Sequence, residues 1–132
     1  MEAALIRLVW RRAGARCEYC LIPQSFDEVP FEIDHIIAKK HLEATAANNL
    51  SLSCIACNSS KGSNIAGRDR KRGELTSLLH PRRHKWARHF RWDGPLLIGR
   101  TPIGRVTIDI LNINEPLRVE LRRELIAERE RS

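Results

Sequence analysis

The chain has 132 residues, a formal net charge of +7 at pH 7, and 30% charged against 5% aromatic residues. This length suits one domain, and so few aromatic side chains predict a small apolar core that needs another source of stability. No segment approaches the roughly 18 consecutive apolar residues of a membrane-spanning helix. The N-terminal sequence MEAALIRLVWRR carries its positive charges after its apolar residues, unlike a secretion signal. These features argue against membrane and secreted proteins, and we expect a cytoplasmic location.

Local signals in the first half of the chain predict two helices and two strands. The predicted elements are a helix over 2–12, a loop over 13–30, a strand over 29–37, an irregular loop over 39–49, a strand over 50–53 and a helix over 55–61. Gly14 and Gly62 are placed to end the two helices, since glycine adopts the left-handed conformation found just after a helix.

The second half is predicted to be mostly helical, after an extended surface loop over 64–74 that contains two glycines and six charged residues. A short helix is expected within 80–92. Apolar and polar residues alternate within 101–112, as they do in a strand. Thr101-Pro102 is, however, a strong helix start, so we favour a helix there. The last helix opens at Asn114-Glu115-Pro116, and its apolar face is predicted to be formed by three leucines at helical spacing: Leu117, Leu121 and Leu125.

Positive charge is concentrated between Lys61 and Trp92, where ten basic residues face only two acidic ones. Arginine and lysine clusters of this kind bind polyanions, because each basic group near a phosphate releases condensed counterions. A basic surface without a partner is the simpler alternative. Membrane-surface binding is disfavoured, since the basic segment has no broad apolar face.

The four cysteines of the chain form two Cys-x2-Cys pairs, Cys17 with Cys20 and Cys54 with Cys57. Two such pairs supply a closed tetrahedral zinc site. Disulfides are the alternative, but they are rare in the cytoplasm. Because all four ligands are sulfur and no position stays open for water, the expected Zn²⁺ is structural, and its binding energy contributes to folding.

The run FEIDHIIAKKH…NNLSLSCIACNSSKG contains an Asp-His pair, an Asn-Leu pair and the second cysteine pair followed by Asn58. This order resembles the HNH endonucleases, whose ββα-metal core has an acidic residue plus His, then Asn-Leu, then Cys-x2-Cys followed by His or Asn. The match covers residues 17–62, and Asn58 in the last position corresponds to the HNN variant. The tail HPRRHKWARHFRWDG…TPIGR also resembles small stand-alone bacterial HNH proteins.

The resemblance implies an α+β fold with a small, treble-clef-like ββα-metal core. A four-cysteine zinc site would hold this core, and N- and C-terminal helices would flank it. We therefore expect a single HNH nuclease domain over 1–132, with the core at 17–62 and a basic C-terminal extension over 63–132.

The implied activity is metal-dependent hydrolysis of DNA phosphodiester bonds. Histidine can accept a proton from water near neutral pH, so His35 is the expected general base. Asp34 and Asn58 offer hard oxygen ligands suited to a catalytic Mg²⁺ or Mn²⁺. The resemblance gives Asn49 a structural role, holding the loop that presents His35. Neighbouring strand residues point to opposite faces, so a bulge or a strand end is expected at Asp34-His35.

Simpler interpretations exist for single residues. Asn58 could cap a helix, Asn49 could belong to an ordinary turn, and His41 is more simply an exposed loop residue. Three further histidines are expected at the surface or as phosphate donors: His80, His84 and His89.

DNA is the expected partner, mainly through its phosphates. The candidate contacts are Lys61, Arg68, Arg70, Lys71 and Arg72. The rival hypothesis is a non-catalytic, zinc-stabilised nucleic-acid-binding module, and an RNA-directed nuclease is not separable from these residues. Phosphate contacts alone do not specify a sequence, so a protein partner could supply selectivity. The sequence does not define the oligomeric state.

Overall fold

The computed structural model describes residues 1–131 as a mixture of helices and short antiparallel strand pairs. The helices are α1 (Ala3–Ala13), α2 (Ile55–Lys61), α3 (Trp86–His89), α4 (Pro102–Ile110) and α5 (Pro116–Arg131). The strands are β1 (Glu32–His35), β2 (Leu50–Ser53), β3 (Ala66–Arg68), β4 (Leu75–Ser77), β5 (Phe90–Asp93) and β6 (Leu96–Gly99). They pair as β1–β2, β3–β4 and β5–β6. The predicted α+β class is confirmed.

The β1–β2 pair and α2 form a ββα unit, with His35 opposite Leu50 in the strand register. Strand β2 and helix α2 have the predicted bounds, and Gly62 ends α2 with a φ of 53°. Strand β1 is shorter than predicted. Gln24 bonds to the backbone of Val29 before the strand, and Asn49 bonds to the backbone after it, so side chains take the place of a partner strand.

The predicted loop over 64–74 is wrong, because β3 lies within it and forms a hairpin with β4, which begins directly after it. The buried carboxylate of Asp69 accepts hydrogen bonds from the backbone amides of Lys71 and Arg72, which fixes the turn. Arg105 on α4 donates to both Asp69 oxygens at 2.9 Å. The hairpin therefore depends on a residue far along the chain, which a local pattern does not reveal.

The helix predicted within 80–92 is limited to α3, after which the chain enters the β5–β6 hairpin. Helix α4 is confirmed, and the Thr101 hydroxyl accepts a hydrogen bond from the Gly104 amide as an N-cap. Gly104 has no room for a side chain, since an added Cβ would lie 2.1 Å from the His89 carbonyl oxygen. Close backbone packing therefore joins α4 to α3.

Helix α5 begins where predicted, but its predicted apolar face is wrong. Leu117 is 65% exposed and Leu121 46% exposed, whereas Val119 and Arg122 are buried. The arginine side chain of Arg122 reaches inward because it donates to the backbone carbonyls of Pro95 and Ile113, among other acceptors. Unpaired carbonyls, rather than apolar surface alone, determine which side of α5 faces the protein.

One continuous core runs through the described residues, from Val9 on α1 to Ile113 before α5, and it includes all four cysteines. Aromatic rings pack within it, with the Trp86 and Phe90 centroids 5.0 Å apart and their planes tilted by 39°. Within residues 1–131, no helix has both the length and the apolar character needed to cross a bilayer.

Candidate functional site

The four cysteine side chains converge on one point between the first loop and α2. Their sulfur atoms all lie within 4.8 Å of one another, and Cys20 Sγ is 3.8 Å from Cys54 Sγ. Tetrahedral zinc with Zn–S bonds of about 2.3 Å places its sulfurs about 3.8 Å apart. All four cysteines are buried and none is in a disulfide. The cluster fits one zinc ion, as the spacing predicts.

Local backbone structure explains how each pair turns inward. The Cys17 amide donates to the Ile22 carbonyl and the Leu21 amide donates back to Cys17, which closes a tight loop around the first pair. In the second pair, Cys54 caps α2, and its sulfur accepts a hydrogen bond from the Cys57 amide. The Asn58 side chain is therefore not the cap of this helix.

Arg118 on α5 covers the cysteine cluster. Its guanidinium lies 2.9 Å from Cys57 Sγ and also donates to the Leu111 carbonyl at 2.7 Å. Four thiolates around Zn²⁺ would carry a net charge of −2, so a partly buried cation here offsets negative charge. No sequence motif predicts this contact, since residues 57 and 118 are distant along the chain.

A second, open cleft of about 380 Å³ lies at the end of β1 and beside α2. Its lining residues are Ile33, Asp34, His35, Ala38, Lys39, Asn58, Gly62 and Ser63. Three residues singled out by their chemistry, Asp34, His35 and Asn58, therefore share one cleft. Adjacent side chains within a strand point to opposite faces. His35 is the last residue of β1, so the chain leaves the strand there and both side chains line the same cleft.

Asp34 is buried, and one of its oxygens is closely surrounded. Lys61 Nζ lies 3.0 Å from Asp34 Oδ2 and donates to the His35 carbonyl at 3.1 Å. The Tyr19 hydroxyl donates to the same Oδ2 at 3.3 Å. Burial raises the pKa of Asp34, and the Lys61 ammonium opposes that rise. Burial also raises the pKa of Tyr19 well above its usual value, so its phenol stays protonated and able to donate.

His35 is partly exposed in the cleft, and its Nε2 lies 2.8 Å from the Thr45 hydroxyl. No described residue bonds to its Nδ1. The Asn58 side chain likewise has no hydrogen-bond partner among residues 1–131. Both groups are therefore free to meet water, a metal ion or a substrate.

Asn49 is buried and bonds only to backbone groups around the same loop. Its side chain bridges the amide and the carbonyl of Ile37 and also donates to the Ala44 carbonyl, all at 2.9–3.0 Å. These bonds fix the turn that follows His35. Asn49 does not line the cleft.

The predicted phosphate-binding residues separate into two groups. Lys61 is 1% exposed and paired with Asp34, so it is not on the basic surface. The others lie on the β3–β4 hairpin, where Arg70 pairs with Asp109 and Arg68 bonds to the Gly73 carbonyl. His80 and His89 are each only 7% exposed, so the expectation that they lie at the surface is wrong. Burial lowers the pKa of His80 to about 4.

Comparison with known families identifies the segment that carries both sites. Residues 17–64 match the family model HNH endonuclease. No curated protein and no solved structure matches the chain. The HNH segment contains all four cysteines and every residue of the cleft, so the family pattern and the geometry select the same part of the molecule.

Three residues around the HNH segment's sites were missed by sequence reasoning. Tyr19 lies between the two cysteines of the first pair, where the sequence predicts only a packing role for an aromatic residue. Thr45 lies in an irregular loop without a pattern, and Arg118 belongs to a helix that resembles a solvated one. Their roles depend on contacts across the fold, and no local signal marks them.

Proposed function

We propose that the chain is a cytoplasmic, metal-dependent endonuclease that hydrolyses DNA phosphodiester bonds. The observation that carries this proposal is the convergence of Asp34, His35 and Asn58 on one cleft within a segment that matches the HNH endonuclease family. A module that only binds nucleic acid has no need for a free base beside two oxygen donors.

His35 acts as the general base in this proposal. With Nε2–H donating to the Thr45 hydroxyl, the lone pair of Nδ1 is available to take a proton from water. Asn49 supports this geometry by fixing the turn after the histidine. The deprotonated water then attacks phosphorus, and the leaving oxygen departs on the opposite side.

Asp34 and Asn58 would hold Mg²⁺ or Mn²⁺, since one carboxylate and one amide oxygen are hard ligands that leave other positions for water and phosphate. The bound metal supplies positive charge where the phosphate gains negative charge. The zinc held by the four cysteines has a different role, because a site filled by sulfur has no open position and serves the fold.

The β3–β4 hairpin is the proposed DNA-binding surface. Its turn exposes Arg70, Lys71 and Arg72, and the Asp69–Arg105 pair fixes the backbone beneath them. Strand β3 starts only three residues after Ser63, a residue of the cleft. One duplex could therefore contact both, with the hairpin binding phosphates without reading sequence. A protein partner could add selectivity.

Cleavage of supercoiled plasmid at low salt tests the proposal, because phosphate binding weakens steeply as salt rises. Zinc-loaded protein is compared without added metal and with Mg²⁺ or Mn²⁺. We expect nicking or linearisation that requires the added metal. His35→Ala should lower the rate by about 100-fold or more, the range for loss of a general base.

The matched control is His84→Asn, which removes a histidine outside the cleft and keeps an acceptor for the His80 amide. This control should cut like wild type, and all variants should retain zinc and their unfolding midpoint. Retardation of the plasmid without cutting, equal in wild type and His35→Ala, would instead favour the zinc-stabilised binding module. Substitution of plasmid by a structured RNA tests the choice of nucleic acid.

A further inference from the structure

The carboxylate of Asp34 is held on one side only. Both of its protein partners, Lys61 and Tyr19, approach Oδ2. Among residues 1–131 no group bonds to Oδ1, and this atom is not a buried atom left without a partner. Oδ1 is thus the oxygen that Asp34 presents to the cleft it lines.

Tyr19 is placed by the cysteine loop. It lies between Cys17 and Cys20, is fully buried, and accepts a hydrogen bond on its backbone carbonyl from the Trp86 indole at 2.8 Å. Its neighbour Glu18 bonds to Leu52 through both its amide and its carboxylate. The loop has little freedom to shift, so the direction of the Tyr19 ring is set by the fold of the cysteine cluster.

A chain of hydroxyls connects this loop with the cleft. Ser51 lies opposite Asp34 in the β1–β2 register, and its hydroxyl donates to the Tyr19 oxygen at 3.4 Å. With its lone pair used in this way, the Tyr19 proton points to Asp34 Oδ2 at 3.3 Å. Lys61 neutralises the same oxygen, so Tyr19 contributes direction and Lys61 contributes charge.

We propose that Tyr19 is a positioning residue for the catalytic metal ion, since it holds Asp34 Oδ2 so that Oδ1 faces the cleft, and thereby links the metal centre to the four-cysteine cluster. This inference rests on the proposed nuclease function. It assigns a role to an aromatic residue of the zinc loop that touches neither the substrate nor the metal. Residues that orient a ligand carboxylate typically change metal affinity by 10–100-fold when removed.

The test measures Mn²⁺ binding to the zinc-loaded protein without DNA. The electron paramagnetic resonance signal of free Mn²⁺ reports how much of the ion stays unbound. Tyr19→Phe removes only the hydroxyl and keeps the buried ring. We expect about a tenfold loss of Mn²⁺ affinity, the low end of the range, because the hydrogen bond is longer than usual. Zinc content should stay at one ion per chain.

Ser53→Ala is the matched control. Ser53 is also a buried hydroxyl next to a cysteine of the cluster, but it bonds to the Cys54 carbonyl and not to Asp34. Its Mn²⁺ affinity should equal that of wild type. An equal loss of Mn²⁺ affinity in Ser53→Ala and Tyr19→Phe would overturn the proposal, since the removal of any buried hydroxyl near the cluster would then have the same effect.

A double-mutant cycle identifies the route of the effect. In an Asp34→Asn background, Tyr19→Phe should cause no further loss, because its effect passes through Asp34. An additive loss overturns the proposal. If Tyr19→Phe loses zinc, Ser51→Ala tests the proposal instead. This change removes only the hydrogen bond that orients the Tyr19 hydroxyl. Weakened Mn²⁺ binding in that variant supports the role of Tyr19, and unchanged binding overturns it.

The cleavage assay separates this inference from the function on which it rests. Metal-dependent cutting by wild type, together with wild-type Mn²⁺ affinity in Tyr19→Phe, overturns the positioning role and leaves the nuclease intact. Absence of any metal-dependent cutting or Mn²⁺ binding in wild type overturns both.

Discussion

Buried polar groups serve different ends in the HNH segment (17–64) and in the segment that follows it (66–131). In the HNH segment, the four cysteine sulfurs gather at a place that fits a zinc ion and the buried Asp34 lines an open cleft, while Asn49 fixes a turn. In the second segment, buried polar groups complete the fold itself, as in the Asp69–Arg105 pair and the Thr107 hydroxyl that accepts from the Leu79 amide. We therefore expect the stability of the first segment to depend on bound zinc, and that of the second segment to depend on its own packing and hydrogen bonds.

Removal of zinc is the strongest way to break this comparison. Structural zinc contributes on the order of 10–16 kcal/mol in small domains, which is comparable to the whole stability of a typical domain. We expect a zinc chelator to raise amide hydrogen exchange most over 17–22 and 50–61, and less over 96–110. Equal protection in both regions after chelation would show that the cluster does not hold the HNH segment together.

Gly104→Ala should have the next largest effect and should act on the second segment. The new Cβ would meet the His89 carbonyl, a backbone atom that cannot move alone. We expect a loss of about 3 kcal/mol, measured by urea unfolding of the zinc-loaded protein.

The matched comparison for this change is Gly67→Ala. There the Cβ would meet side-chain atoms of Ile110 at 2.9 Å, which can rotate away. Its loss should be clearly smaller. If both variants lose the same stability, backbone contact at Gly104 is not what joins α4 to α3.

Arg118→Met sharpens the comparison, because Arg118 belongs to the second segment but contacts the cluster of the first. Loss of this donor should speed the transfer of zinc to a chromogenic chelator by about tenfold. Arg123→Met is the control, since Arg123 lies on the same helix and is exposed. Transfer at the wild-type rate in Arg118→Met would mean that the guanidinium does not stabilise the bound thiolates.

The smallest expected effect concerns pH. The native pKa of His80 is about 4, below its usual value of 6.5, so the unfolded chain takes up the proton first as pH falls. The stability linked to His80 is complete above pH 6.5 and is lost toward pH 4. His80→Asn keeps an acceptor for the Arg82 amide. Its unfolding free energy should fall by about 1 kcal/mol less than that of wild type when the pH is lowered. Parallel unfolding curves at pH 7 and pH 5 for both proteins test this.

Elements set by local chemistry could be predicted from the sequence. Helix α2 lies between a cysteine that caps it and a glycine that ends it, and α4 starts at a threonine N-cap. The cysteine cluster followed from spacing alone. Asp34, His35 and Asn58 were singled out by the family resemblance, and the structure brings them to one cleft, while their catalytic roles stay a prediction.

The elements that failed depend on partners far along the chain. The β3–β4 hairpin needs Arg105, and the inward face of α5 needs sulfur and carbonyl acceptors supplied by residues before it. The spacing of the leucines could not predict that Arg122 would be buried and that Leu117 and Leu121 would be exposed. The contact of the Tyr19 hydroxyl with Asp34 could not be predicted either, because the fold brings these two residues together.

The uneven burial of the cysteine cluster also predicts how the protein reacts with oxidants. Cys17 and Cys57 are fully buried, whereas Cys20 and Cys54 keep 3% and 4% of their surface exposed and line a small pocket beside Arg118. Oxidation of cysteine follows thiolate access. Peroxide should therefore attack Cys20 or Cys54 first, and the loss of either ligand would release bound zinc, so we expect oxidative damage to begin at one face of the cluster.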